Sequence, residues 1–308
     1  MQWRHTDLLD VIPLSSADVE QVFAFAASCL EAEARQENPD PVLAGRRVAL
    51  YSDEPTSLAM ASFRAAAVRL GADPVAPAAQ ATDTKLRDAV AGLEAKAPAA
   101  VVARHGRSGA AAYLARKLAC PVINAGDGWH ADPAQALLDA FTLHREWGRF
   151  LGRTLLILGD SGHCGAARSA IRLFSRLGAK VRLCAPRTLL PSRADILPVT
   201  VYPDLDKAAR GVDAVMCLRL APERVAEGLI PDPREYAGRW GLGLRHLERA
   251  RPGAKVLLSG FRDPGVEISS RLAAAAKDLV LDQAAAGVAV RMALLALPLT
   301  RKEPGHVR

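Results

Sequence analysis

Two arginines, Arg104 and Arg219, stand just beyond short apolar runs, Ala99 to Ala103 and Ala214 to Cys217. A guanidinium there can grip an anion through paired hydrogen bonds, or it can ion-pair within the protein and support a loop. Thr56 and Ser57 open a helical stretch, where free backbone N–H groups can attract an anion, although either side chain also serves as a plain helix cap. Asp132 followed by Pro133 is a strong helix start, with Gln135 in the first turn. The run Gly159-Asp160-Ser161-Gly162-His163-Cys164-Gly165 reads as a strand-to-helix turn. Its glycine spacing departs from the Gly-x-Gly-x-x-Gly nucleotide fingerprint. The next strand ends at Cys184-Ala185-Pro186-Arg187 without an acid for a ribose, so nucleotide binding is the weakest reading.

Metal and acid/base chemistry find little support. His105, His130 and His163 could be grouped with Asp132, but they fall in different loops without a His-x-x-x-His spacing, which favours packing or solvated roles. Glu54, Asp127 and Asp139 show no spacing that makes a catalytic pair. The five cysteines, Cys29, Cys120, Cys164, Cys184 and Cys217, are scattered and read as reduced packing residues. No metal and no cofactor is expected.

The elements that must position these residues alternate between short apolar strands and longer amphipathic helices, the pattern of parallel α/β structure. Strands are expected at Arg47 to Tyr51, Ala99 to Ala103 and Val122 to Asn124, with helices at Ser16 to Arg35, Thr56 to Leu70, Thr84 to Ala95 and Ser108 to Leu118. A long helix, Pro133 to Phe150, leads to strands at Thr154 to Leu158, Lys180 to Cys184, Ala214 to Cys217 and Lys255 to Leu258. The fold class is therefore α/β, two doubly wound parallel-sheet domains joined by a long helix, with residues 1–150 and 151–281 as the domains. A cleft is expected at the carboxyl ends of the strands.

The chain has 308 residues, half of them apolar, enough for two cores. The stretch Val280 to Leu299 is interrupted by Asp282, Gln283, Arg291 and Pro298, so a buried helix is expected and no membrane partner. The amino terminus has no apolar signal region, leaving the cytoplasm as the expected location. A net charge of +7 and a pI near 9.4 could suggest nucleic acid, but the arginines are dispersed without aromatic interleaving. No nucleic-acid partner is expected.

Several segments, in order, resemble the aspartate carbamoyltransferase family. Glu54-Pro55-Thr56-Ser57 with Ser62-Phe63 parallels the family's Glu-Pro-Ser-Thr-Arg-Thr-Arg-x-Ser-Phe, and Arg69-Leu70-Gly71-Ala72 continues it. Arg104-His105, the segment Pro121 to Asp139, Gly159-Asp160 with Arg168-Ser169, and Arg219 with Glu223-Arg224 follow. Gly265 to Ile268 and Gly287 to Ala293 complete the series, the last looking like aspartate rather than ornithine carbamoyltransferase. The resemblance implies a terminal helix, residues 282–300, crossing back to the first domain. It also implies substrate-site roles for Thr56, Ser57, Arg104, His105, Gln135 and Arg219.

Departures from the family pattern gather in the chemistry. The family's phosphate-binding Arg-Thr-Arg is Leu58-Ala59-Met60 here, and its His-Pro-Thr-Gln is Asp132-Pro133-Ala134-Gln135. Gly165 replaces an arginine that grips aspartate, Ala221 replaces a glutamine, and Leu258-Ser259-Gly260-Phe261 replaces His-Pro-Gly-Pro. The lysine that the family borrows from a neighbouring subunit aligns with Thr82. Each lost arginine is worth about 3 to 5 kcal/mol if the partner charge stays buried. The expectation is thus a non-catalytic pseudoenzyme with a structural or regulatory role in a homo-oligomer. That oligomer would be a trimer built through the first domain, able to mix with authentic aspartate carbamoyltransferase subunits of pyrimidine biosynthesis. The alternative is an active transferase of the same superfamily, its cleft rebuilt for a changed, less anionic substrate.

Overall fold

The computed structural model describes residues 3–37, 39–54, 57–76, 86–259, 265–275 and 277–300. Two compact units divide the chain, one of residues 1–141 and 285–308, the other of residues 142–284. Both are parallel α/β units.

In the first unit, strands β1 (Arg47–Ser52), β2 (Asp73–Val75), β3 (Ala100–His105) and β4 (Val122–Asp127) form a sheet of order β2-β1-β3-β4, every pair parallel. Helices α1 (Ser16–Ala34), α2 (Leu58–Arg69), α3 (Leu86–Glu94) and α4 (Ala110–Ala115) alternate with them, and α5 (Pro133–Trp147) leaves the unit. β1, β3 and β4 are buried almost throughout, as strands covered on both faces must be. Ala49, Tyr51, Leu93, Val101, Ala103, Leu114 and Val122 share one core.

In the second unit, β5 (Thr154–Leu158), β6 (Lys180–Cys184), β7 (Val199–Tyr202), β8 (Ala214–Leu218) and β9 (Lys255–Ser259) form a parallel sheet of order β7-β6-β5-β8-β9. Helix α6 (Gly165–Arg176) follows β5, then α7 (Leu205–Ala208), α8 (Glu223–Ala226), α9 (Pro233–Trp240), α10 (Leu244–Leu247) and α11 (Ser270–Ala275). The last helix, α12 (Lys277–Thr300), is long and apolar enough over Gln283–Thr300 to cross a membrane, but 72% of that stretch is buried, the burial of a core helix.

Two strands escape sequence reading. β2 contains Pro74, which a sheet tolerates at an edge, and β2 is an edge strand. β7 is the opposite edge of its own sheet, short and mostly solvent-facing. Helix α4 starts later than expected, at Ala110, because Gly109 at its N-cap adopts φ +85°.

Candidate active site

The order in which successive strands are laid down reverses between β1 and β3 in one sheet and between β5 and β8 in the other. Such switch points open a crevice at the carboxyl ends of the strands. Glu54 and Arg104 flank the first crevice, while Gly159-Asp160 and Arg219 flank the second.

At the first crevice Arg104 is held between two carboxylates. Its Nη2 lies 3.0 Å from Glu54 Oε2, its Nη1 lies 3.7 Å from Asp132 Oδ2, and Nη1 also donates to the Ala125 carbonyl at 2.9 Å. Burial works against the Arg104 cation, but Asp132 and Glu54 outweigh it and raise its pKa. Asp132 caps α5 as its type and the following proline predict, accepting from the Gln135 N–H at 2.9 Å. Its side chain is only 15% exposed, and burial raises the carboxyl above its ordinary range, with Arg104 opposing. Gln135 is committed to Asp139, donating from Nε2 at 2.9 Å, and Ala134 is buried.

Arg291 is the residue the sequence reading passed over. It lies on α12 and is 5% exposed; its Nη1 donates to Ser62 Oγ at 3.2 Å and to the Gly287 carbonyl at 3.0 Å, and its guanidinium sits 5.3 Å from the Phe63 ring centroid. Burial pushes its pKa down to about 10, against the pull of Asp132 and Asp139. A side chain at Gly287 would meet Arg291 Nη1 at 2.7 Å, so the guanidinium would have to shift to admit one. The available signal was the pair of matched segments Ser62-Phe63 and Gly287 to Ala293, whose meeting no local rule predicts.

The replaced phosphate positions divide. Ser57 is the N-cap of α2, accepting from the Met60 N–H at 3.3 Å, and its neighbour Thr56 lies outside the described residues. Leu58 is 65% exposed, Ala59 is half-buried, and Met60 is a core residue at 4%. The segment thus splits, with Met60 in the core and Leu58 in solvent. Thr82 also lies outside the described residues.

His105 is buried, accepts the Arg107 N–H at Nδ1 and approaches Asp53 at 3.2 Å. His130 sits on Asp127, and His163 on Asp160 at 2.8 Å, so the three histidines belong to separate loops. Asp127 organises its own loop, accepting from Asn124 Nδ2 and from the N–H groups of Gly109 and Ala131.

At the second crevice Gly159 adopts φ +114°, and a Cβ there would lie 3.2 Å from the Leu218 carbonyl oxygen. Asp160 accepts from His163 N–H and from Arg224 Nε, and Arg224 continues to Glu227 at 2.7 Å. Gly165 opens α6 with no side chain to offer, and Ala221 is half-buried. Arg219 is exposed and has no ion-pair partner among the described residues. Its loop is fixed from behind by Glu267, a buried carboxylate accepting the Leu220 N–H at 2.8 Å, another role the sequence did not reveal. Ser259 ends β9, pairing in register with Leu218.

Residues 6–145 match the aspartate/ornithine carbamoyltransferase carbamoyl-P binding domain, and residues 151–297 match the Asp/Orn binding domain of the same family. The chain belongs to the aspartate/ornithine carbamoyltransferase family. It is 50% identical over 304 residues, 97% of this chain and 94% of that protein, to an aspartate carbamoyltransferase catalytic subunit of Nitratidesulfovibrio vulgaris strain Miyazaki F. A protein of the same name from Lawsonia intracellularis is 44% identical over 303 residues, 97% of this chain and 96% of that one. Among solved structures, ornithine carbamoyltransferase from Thermus thermophilus aligns with TM-score 0.82 at 23% identity over 96% of this chain and 99% of that one. Aspartate transcarbamoylase from Trypanosoma cruzi in complex with carbamoyl phosphate aligns with TM-score 0.83 at 22% identity over 96% of each chain. The two solved structures share the fold.

These relatives correct the expectation of a non-catalytic protein, because chains so similar over nearly their whole length are named as catalytic subunits. The physical reason is that the departures are local. They alter the charge and size of contacts while the turns, Arg104 and Arg219 keep their places at the two switch points.

Proposed function

We propose that this chain is an active transferase that moves a carbamoyl-type group onto an amino acid, from a donor less anionic than carbamoyl phosphate. The observation that carries this reading is Arg104 held between Glu54 and Asp132. Two protein carboxylates already balance the cation, so a dianion entering this crevice meets net repulsion, whereas a neutral or monoanionic donor does not. On the acceptor side, exposed Arg219 supplies a guanidinium for a carboxylate, and the relatives' name supports aspartate as that acceptor and a role in pyrimidine biosynthesis. In the reaction the acceptor amine attacks the donor carbonyl carbon, the leaving group departs with its bonding electrons, and the amine loses a proton.

Product formation measured by mass spectrometry, with carbamoyl phosphate and with its monoanionic methyl ester, tests the reading. The ester is expected to have the higher kcat/KM, and Asp132→His is expected to shift preference toward the dianion. Transfer from neither donor to any amino acid rejects the activity, and a preference of the unaltered chain for the dianion rejects the donor class. The relatives' designation as catalytic subunits also supports a homo-oligomer, proposed here as a trimer, for which light scattering should return three chain masses.

A further inference from the structure

A cavity of about 280 Å³ lies wholly within the second unit, between the segment after β6 and helix α9. Gly165, Arg219 and Ala221 are not among its walls. Pro186, Ile230, Tyr236 and Trp240 make it predominantly apolar, and Arg187 and Glu235 bring one positive and one negative charge to it. Tyr236 and Ile230 are buried, while Arg187 and Glu235 are exposed, so the apolar residues lie deeper than the charged ones.

The two charges are weakly committed elsewhere. Arg187 has no ion-pair partner among the described residues, and Glu235 has only Arg239 at 3.8 Å, an exposed pair one helical turn away. Glu235 is held in place by a firmly started helix: Asp232 accepts from the N–H groups of Arg234 and Glu235 at 2.6 and 3.0 Å, and Pro233 occupies the first turn. Tyr236 and Trp240 stand with ring centroids 6.0 Å apart.

We propose that this cavity binds a zwitterionic amino acid with an apolar or aromatic side chain. Arg187 takes the carboxylate, Glu235 takes the ammonium, and the side chain enters among Pro186, Ile230, Tyr236 and Trp240. A nucleotide or other polyanion fits less well, because Glu235 would face its phosphates. An uncharged apolar ligand would leave both ions without use. The volume suits a single amino acid and is at the lower end for drug-sized ligands. Occupancy would tie the Arg187 segment to α9, and that segment already holds the acceptor turn, since Leu189 accepts the Gly162 N–H at 2.8 Å. The inference does not depend on the transfer reaction proposed above.

Calorimetric titration of the full chain with L-phenylalanine, followed in parallel by intrinsic tryptophan fluorescence, tests the proposal. Saturable binding with a Kd at or below about 1 mM is expected. Phenylpropionate and phenethylamine, each lacking one charge, should bind at least about tenfold more weakly, the scale of one lost charge contact. Arg187→Gln and Glu235→Gln should each show the same loss, with cooperative unfolding unchanged because both positions are exposed. Absence of amino-acid binding, binding indifferent to both variants, or tighter binding of adenosine monophosphate than of L-phenylalanine would overturn it.

Discussion

The two crevices differ in how their arginine is balanced. In the first unit Asp132 and Glu54 stand beside Arg104, and the arginine is balanced from within the protein. In the second unit Gly165 and Ala221 bring no charge, while Arg219 is exposed and has no ion-pair partner among the described residues. Adding a charge changes which ligand charge is welcome, because Coulomb terms reach across the site. An arginine with no acid beside it keeps a positive field, and small neighbours lower affinity without changing that sign. The donor side should therefore be altered in kind, and the acceptor side in degree.

The largest expected effect concerns what the second crevice rests on. Arg224→Ala removes the partner of buried Asp160, and unfolding in denaturant should show a loss of about 3 to 5 kcal/mol, the cost of an uncompensated buried charge. A loss under about 1 kcal/mol would show that His163 and the His163 N–H suffice for Asp160.

Next comes the uncommitted arginine. Arg219→Ala should leave stability unchanged, as an exposed residue without an ion-pair partner among the described residues, but should raise the KM for a carboxylate-bearing acceptor by about ten- to a hundredfold. An unchanged KM would mean that another cation holds the acceptor, and the contrast between the crevices would then fail.

A smaller effect isolates the added charge. Burial raises the Asp132 carboxyl above its ordinary value of 3.8, so the folded chain binds its proton better than the unfolded chain does. That contribution to stability is fully present below pH 3.8 and is lost as pH rises through the folded-state value. Asp132→Asn keeps the helix cap and removes the titration, so its unfolding free energy should lack this decline between acid and neutral pH. Parallel curves for the two chains would show that Asp132 is not desolvated.

The smallest signal is chemical. Burial pushes the Cys184 thiol up to about 12 and the Cys217 thiol higher still, so neither should react with a thiol reagent at pH 8 until the second unit unfolds. Labelling of either in the native chain would mean that the sheet beneath the acceptor crevice opens readily.

Local signals carried much of the fold. Thr154–Leu158 and Lys180–Cys184 were legible because central parallel strands are apolar runs, and the start of α5 was legible because Asp132-Pro133 is a self-contained cap. The edge strands β2 and β7 were not, since an edge imposes neither burial nor alternation. The chemical departures at Leu58, Asp132 and Gly165 were also visible in sequence, but their consequence was misjudged: a changed contact was read as a lost activity.

By itself the sequence determined the alternation of strands and helices, the caps, and which residue types were offered to chemistry, all properties of neighbours along the chain. Only the tertiary structure decided their partners. Arg104 meets Glu54 across 50 residues, Arg224 meets Asp160 across 64, and Arg291 meets Ser62 across 229. Whether a guanidinium is neutralised or available depends on charges brought near it through space, and parallel sheets bring together residues far apart in sequence.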